Sequence, residues 1–155
     1  MRKNKHVKGF TLVELIVVIA IIGVLASILL PSMLGYITKA KLSAANASAK
    51  TLFNAAMVAC REEDVDKPIP AGIYSKSASG DIQFNDRLCY HVYSYFPKIK
   101  DAEWAVEIEE DVPVAACYQK EAGSDYVGTF PCVNSNTGVL SFEEALKIAK
   151  GEIDT

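Results

Sequence analysis

The segment GFTLVELIVVIAIIGVLASILLP occupies residues 9–31 and is the most apolar stretch of the chain. It follows a basic leader, MRKNKHVK, and residues 10–30 would form a helix of roughly 31 Å, enough to cross the hydrocarbon of a membrane. The only charged residue among them is Glu14. A carboxylate in hydrocarbon costs about 3 kcal/mol, so an acid there normally has a partner. The sequence therefore predicts a membrane-spanning helix whose single acid, Glu14, pairs with another group.

Charge is distributed unevenly along the 155 residues, whose formal net charge is −3. Four of the 16 basic residues lie in the leader, and without them 12 basic residues would face 19 acidic ones, a net charge of −7. Such an acidic body argues against general binding of nucleic acid. The positive-inside rule keeps the leader in the cytoplasm and places the chain after Pro31 outside. A cleaved secretory signal is disfavoured, because the apolar run is long and no small-x-small site closes it.

Pro31 lacks an N–H, so a kink or local break of the helix is expected there. From Tyr36 the pattern becomes amphipathic, with apolar residues at steps of three and four from Leu42 to Cys60. A charged cluster at 61–64 ends this helix, and residues 67–72 read as a loop.

Strand patterns follow this loop at 89–96, 103–109, 112–119 and 126–133. Short connections between them favour antiparallel pairing. In the second pattern Trp104 shares one face with two other apolar residues, while Glu107 and Glu109 point outward. Ser141 and Glu144 form a capping-box pattern and Gly151 a stop signal, which predicts a short closing helix.

The junction Gly9-Phe10, the acid Glu14, the basic leader and the apolar run together resemble the N-terminus of type IV pilins and pseudopilins. Pro31 also matches the helix-bending proline of major pilins. The resemblance is specific over about residues 1–60 and extends beyond them in architecture only. It implies an α+β fold of the type IV pilin kind, in which a long N-terminal helix packs on a small antiparallel β-sheet, with a short C-terminal helix.

The resemblance also implies a division of the chain. Residues 1–9 are a cytoplasmic leader that is removed, and 10–37 are a transmembrane segment that later forms a filament core. Residues 38–62 are the amphipathic half of the helix, and 63–155 form an extracytoplasmic globular lobe.

The function that the resemblance implies is that of a structural subunit of a type IV pilus. A prepilin peptidase would cleave between Gly9 and Phe10 and methylate the new amine of Phe10. Glu14 would then pair with this amine, on a neighbouring subunit or its own, and so set the register of assembly. The implied partners are further copies of the chain, the peptidase, and an assembly platform with its ATPase. The chain would span the inner membrane once before assembly and lie in an extracellular pilus afterwards.

Two other functions remain open. One is a pseudopilin of a type II secretion or DNA-uptake apparatus, and the other is a monomeric membrane-anchored binding protein. Enzyme activity is not expected, because no GxSxG, HExxH, P-loop or paired-acid motif occurs. No cofactor is expected, and no metal site, because the chain has no C-x-x-C pair and only His91 outside the leader.

Four cysteines, Cys60, Cys89, Cys117 and Cys132, all follow the apolar segment and suit an oxidising exterior. Three pairings into two disulfides are possible, of which Cys60–Cys89 with Cys117–Cys132 is favoured, and free thiols are the alternative.

Three further features have a functional and a structural interpretation. The aromatic residues Tyr90, Tyr93, Tyr95 and Phe96 suit an adhesive platform for sugars or, more often, the core face of a sheet with ordinary edge aromatics. The acids at 107 and 109–111 suit Ca²⁺ or, better, a solvated strand and turn. Asn46 begins a glycosylation sequon, to which we attach little weight.

Overall fold

The computed structural model describes residues 9–62, 69–76 and 86–154. The leader at 1–8, the end of the charged cluster at 63–64 and the start of the predicted loop at 67–68 lie outside them. The elements in order are α1 (Leu12–Glu62), β1 (Gly72–Lys76), α2 (Asp86–Tyr95), a 3₁₀ helix (Pro97–Asp101), β2 (Glu103–Glu109), β3 (Val112–Gln119), β4 (Gly128–Phe130) and α3 (Phe142–Lys150). The predicted α+β class, with a long first helix, an antiparallel sheet and a closing helix, is confirmed.

The chain divides into two compact units between Ile37 and Thr38. The first unit contains the apolar half of α1. The second contains the amphipathic half of α1 with the sheet, α2 and α3, and we call this second unit the lobe.

The sheet of the lobe is a meander in the order β1-β2-β3-β4, and each neighbouring pair is antiparallel. β2 and β3 have the bounds that their patterns predicted, and the turn between them places Glu110 and Asp111 at φ 48° and 65°. β4 is shorter than the predicted 126–133, since the proline after it has no N–H for a strand ladder. β1 was missed, because its five residues bury only Tyr74 and therefore show no clear alternation.

One face of the sheet carries the larger part of the core. Trp104, Val106 and Ile108 of β2 lie on this face and are fully buried. They pack with Leu52 and the small residues of α1's amphipathic half and with Leu88 of α2. The predicted apolar face of β2 is therefore confirmed.

The predicted strand at 89–96 is wrong, because this segment lies in α2. Its buried residues, Leu88, Cys89 and Val92, follow a helical spacing of three to four. The many aromatic residues suggested a strand, but strand propensity is a weak preference that tertiary packing overrides.

The opposite face of the sheet is covered by α3, which packs Ala145, Leu146 and Ala149 on Ala105 and Cys117. This helix has the predicted caps: Ser141 Oγ accepts from the Glu144 N–H at 3.2 Å, and Glu144 Oε2 accepts from the Ser141 N–H at 2.9 Å. Gly151 ends the helix at φ 74°. The outward direction predicted for Glu107 needs correction, since its carboxylate lies under α3 and pairs with Lys150 at 3.1 Å.

Candidate functional site

The apolar half of α1 exposes all of its large apolar side chains. Its large apolar side chains are exposed by fractions that run from 45% at Ile37 to 91% at Phe10. By length and composition, this helix is apolar enough to cross a membrane. A continuous apolar surface of this extent marks a site for lipid or for another protein.

The helix begins with a capping box that the sequence analysis missed. The Thr11 N–H donates to Glu14 Oε2 at 2.8 Å, and the Glu14 N–H donates to Thr11 Oγ1 at 3.2 Å. The Thr11 hydroxyl also donates to Glu14 Oε2 at 2.7 Å. The signal was present in the sequence, since Thr-x-x-Glu before an apolar run is the capping-box pattern.

Three of the predicted site residues lie together at this helix start. Gly9 and Phe10 directly precede the cap, and no atom lies within 4 Å of the position a Cβ would take on Gly9. Glu14 is exposed, and in the part of the chain that the structure describes no cation is paired with it. The Gly9–Phe10 junction and the acid are therefore both exposed, and cleavage at this junction stays a prediction.

Pro31 lies inside α1, and the helix continues through it without the local break that we expected as one possibility. The bend at this proline stays a prediction. Two hydroxyls nearby bond within the helix: Ser27 donates to the Val24 carbonyl at 2.7 Å and Ser32 to the Leu29 carbonyl at 2.9 Å. Since these polar groups have partners inside the helix, they suit an environment without water.

The four cysteines lie at different depths in the lobe. Cys60 and Cys89 are buried in the same core cluster, between α1 and α2. Cys117 is buried under α3, and burial raises the pKa of its thiol to about 12. Cys132 is exposed, and it forms no disulfide with Cys117 in the structure. Both predicted pairings stay predictions.

The single histidine of the lobe has a structural partner. His91 Nδ1 lies 3.0 Å from a Glu62 carboxylate oxygen, and the other Glu62 oxygen accepts from the Tyr95 hydroxyl. This hydrogen bond raises the pKa of Tyr95. Glu62 thus connects the end of α1 to α2, and the role of His91 in this contact is structural.

Two of the four acids that the Ca²⁺ alternative named have other partners. Glu107 pairs with Lys150, and Asp111 Oδ1 accepts from the Ile69 N–H at 3.1 Å. In the described ranges no group of three or more His, Cys, Asp or Glu is arranged to hold a metal ion.

The sequon residue Asn46 holds the lobe together through its side chain. Its Oδ1 accepts from the Thr129 N–H at 2.9 Å, and its Nδ2 donates to the Asn134 carbonyl at 2.8 Å. Glycosylation would require the nitrogen that makes this second bond, so the contact argues against a sugar at this position.

Comparisons with known proteins identify one family model and several relatives that match part of the chain. Residues 4–30 match the family model of the prokaryotic N-terminal methylation motif. The type IV major pilin protein PilA of Myxococcus xanthus is 40% identical over 63 residues, which are 41% of this chain and 29% of that protein. The type IV major alpha-pilin of Moraxella bovis is 51% identical over 53 residues, which are 32% of this chain and 33% of that protein.

A longer match is the fimbrial protein of Pseudomonas aeruginosa, 37% identical over 82 residues, which are 53% of this chain and 51% of that protein. The chain thus spans between about a third and a half of the length of these relatives. No solved structure matches the chain.

Proposed function

We propose that this chain, whose N-terminal segment belongs to the type IV pilin family, is a structural subunit of a type IV pilus. The observation that carries the proposal is the exposed apolar half of α1. At about 25 cal/mol per Å², hiding such a surface supplies a large driving force, in lipid first and between helices of neighbouring subunits afterwards. Residues 10–37 would form the filament core, and the lobe would face the exterior.

Processing follows from the first residues of the site. A prepilin peptidase would cut the bond between Gly9 and Phe10 and methylate the amine of Phe10. The open space around Gly9 supports this, because a protease must approach the backbone closely. The leader would stay in the cytoplasm until this cut, and the lobe would already lie outside.

Intact mass spectrometry of filaments sheared from cells tests the processing. The subunit is expected to begin at Phe10 and to carry one additional methyl group. Filament material that still begins at Met1 or Arg2 would show that the proposal is wrong.

Glu14 would set the register between subunits. Its capping bonds use Oε2 and supply no positive charge, so the carboxylate enters an apolar core with its charge uncompensated. A neighbouring subunit's Phe10 amine would compensate it, whereas a subunit in the wrong register would leave it unpaired at a cost of roughly 3–5 kcal/mol. Pro31 would set the bend of the core helix.

Two variants separate this role from helix capping. Glu14→Gln keeps an oxygen that can accept from Thr11 but removes the charge, so it should reach the membrane and fail to form filaments. Thr11→Ala removes the hydroxyl of the cap but keeps the charge, so filaments should persist. Shearing yield and membrane content are measured in parallel. Equal loss in both variants would mean that capping, and not charge pairing, is what assembly needs.

We also propose that the chain interacts with an assembly platform and its ATPase. The main alternative function is that of a pseudopilin. The major pilins among the relatives favour a pilus. Deletion of the gene should abolish long surface filaments. Loss of protein secretion or of DNA uptake with no loss of filaments would favour the rival. A monomeric anchored binding protein would be indicated if Glu14→Gln changed nothing.

A further inference from the structure

A groove of about 390 Å³ lies in the lobe between α1 and the segment that leads from β3 to β4. The α1 wall presents Lys41, Ala44 and Ser48, and the opposite wall presents Tyr118 and Tyr126. This volume falls in the range of small-ligand sites, about 300–1,000 Å³. None of these residues belongs to the Gly9–Phe10 junction or to the apolar surface described above.

The groove is open because one wall is made of small side chains. Ala44 and Ala45 project little from α1, so the aromatic wall stands away from the helix. The backbone beyond the groove is fixed: Gly128 of β4 lies directly against Ala45, and Asn46 bonds Thr129. These contacts hold β4 against α1 directly behind the groove.

The aromatic wall offers both ring and hydroxyl groups. Tyr118 is partly buried, and on the opposite wall the Ser48 hydroxyl donates to the Ala44 carbonyl at 3.0 Å. The Tyr126 ring lies below Lys41, whose Nζ is 5.1 Å from the ring centroid. A ligand at this point meets an apolar ring and an ammonium group within a few ångströms.

The groove carries more positive than negative side chains, whereas the chain without its basic leader has a negative net charge. Lys41 and Lys120 both line it, and Glu121 is the one acid among its lining residues. Glu121 lies 3.9 Å from Lys120, and both side chains are at least 80% exposed, so water weakens their attraction. No carboxylate in the described part of the chain pairs with Lys41. A positive groove on a body of net charge −7 selects an anion locally.

These features match one class of ligand, a pyranose that carries a carboxylate. The apolar C–H face of the sugar ring fits the negative face of a tyrosine ring. The Ser48 oxygen can accept from a sugar hydroxyl while its proton stays on the Ala44 carbonyl, and the Tyr118 hydroxyl can bond to another. The two ammonium groups can bind the carboxylate with charge-assisted hydrogen bonds. Single-stranded nucleic acid would use the same groups, but its phosphate chain would be repelled by the acidic body.

We propose that this groove binds a hexuronate unit of a polysaccharide, with its carboxylate on Lys41 and Lys120 and its ring on Tyr126. The proposal goes beyond the pilus function and does not depend on it, because the groove lies wholly in the lobe. A chain that never polymerises should still bind the sugar.

The experiment titrates sodium glucuronate into the full chain in a non-ionic detergent, followed by NMR chemical shifts. Saturable binding is expected, with glucose at least tenfold weaker because it lacks the carboxylate. Lys41→Gln should weaken glucuronate binding about tenfold, as expected for the loss of one charge-assisted bond. Tyr126→Leu should weaken it and Tyr126→Phe should not.

Lys50→Gln is the matched control, since Lys50 also lies on α1 over an aromatic ring, 5.7 Å from the Phe130 centroid, but outside the groove. Emission of the buried Trp104 shows that each variant is folded. Equal binding of glucose and glucuronate, equal effects of Lys41→Gln and Lys50→Gln, or tighter binding of a thymidine oligonucleotide would each overturn the proposal.

Discussion

At the scale of single residues, the Glu14 carboxylate has two roles, which are capping of α1 and the proposed pairing with a positive charge. In the isolated chain the carboxylate accepts from the Thr11 N–H, and the Thr11 hydroxyl accepts from the Glu14 N–H, so that together they close the capping box at the helix start. These bonds orient the charge but do not neutralise it. The local cap therefore explains how the acid is held before assembly, and the proposed amine of a neighbour explains why it is an acid.

The thiols of Cys117 and Cys132 should differ strongly in reactivity. In the reduced, folded chain at pH 7.5, a maleimide should modify Cys132, which is exposed, before the three buried cysteines. Cys117 should react only after unfolding, because burial excludes the reagent and raises its pKa to about 12, which leaves almost no thiolate. Mass spectrometry of labelled peptides gives the order. Labelling of Cys117 in the folded chain at the rate of Cys132 would contradict the structure.

At the scale of elements, β4 and α1 approach so closely that only glycine fits between them. A Cβ on Gly128 would lie 2.0 Å from the carbonyl carbon of Ala45 and 2.4 Å from the Asn46 nitrogen. Gly128→Ala should therefore destabilise the lobe by roughly 3 kcal/mol or more, since backbone atoms must move. Thermal unfolding monitored by tryptophan emission measures the loss.

Gly123→Ala is the control for this substitution. Gly123 has φ 69° but no atom within 4 Å of a Cβ, so it tests backbone conformation alone. The expected cost is about 1–2 kcal/mol. A Gly128→Ala chain as stable as the Gly123→Ala chain would show that β4 can move away from α1.

The capping box of α3 should make the stability of the lobe depend on acid pH. Hydrogen bonds from the Ser141 backbone and side chain lower the pKa of Glu144 below its usual 4.5. The ionised form is thus favoured by folding, so its contribution is present above pH 4.5 and is lost as pH falls through the lower folded pKa. Glu144→Gln should lower the unfolding temperature at pH 7, and the difference from the unchanged chain should shrink toward pH 3.

Substitution of Ser141 separates the effect of the N-cap hydroxyl from that of the Glu144 charge. Ser141→Ala removes the N-cap hydroxyl and should cost about 1 kcal/mol, whereas Ser141→Thr keeps an acceptor and should cost less. A temperature difference between Glu144→Gln and the unchanged chain that stayed constant from pH 7 to pH 3 would exclude the carboxylate as its cause.

At the scale of the whole molecule, the two units have different sources of stability. The lobe has a core of its own around Trp104, the only tryptophan, which is fully buried. The apolar half of α1 has no such core, and an apolar solvent must supply its stability. In detergent micelles, heat should therefore shift Trp104 emission to longer wavelength in one transition while part of the helical circular dichroism remains. Complete loss of the helical signal in the same transition would show that the two units unfold as one.

The sequence alone determined the features that depend on near neighbours along the chain. The apolar run at 10–30, the periodicity from Leu42 to Cys60 and the caps of α3 are local patterns, and the structure has them where they were predicted. The acid Glu14 and the Gly9–Phe10 junction were also visible, because they lie within six residues of each other. The Thr11 cap is equally local, since it joins residues three apart.

The tertiary structure alone decided what depends on contacts between distant segments. The aromatic residues at 89–96 suit a strand by propensity, yet Leu88 and Val92 face the core only if α2 is a helix. The requirement for glycine at 128 comes from a helix more than eighty residues away. The same holds for the groove, because Lys41 and Tyr126 meet only after β3 and β4 have packed beside α1. Local preferences are worth fractions of a kcal/mol per residue, and burial of a side chain outweighs them.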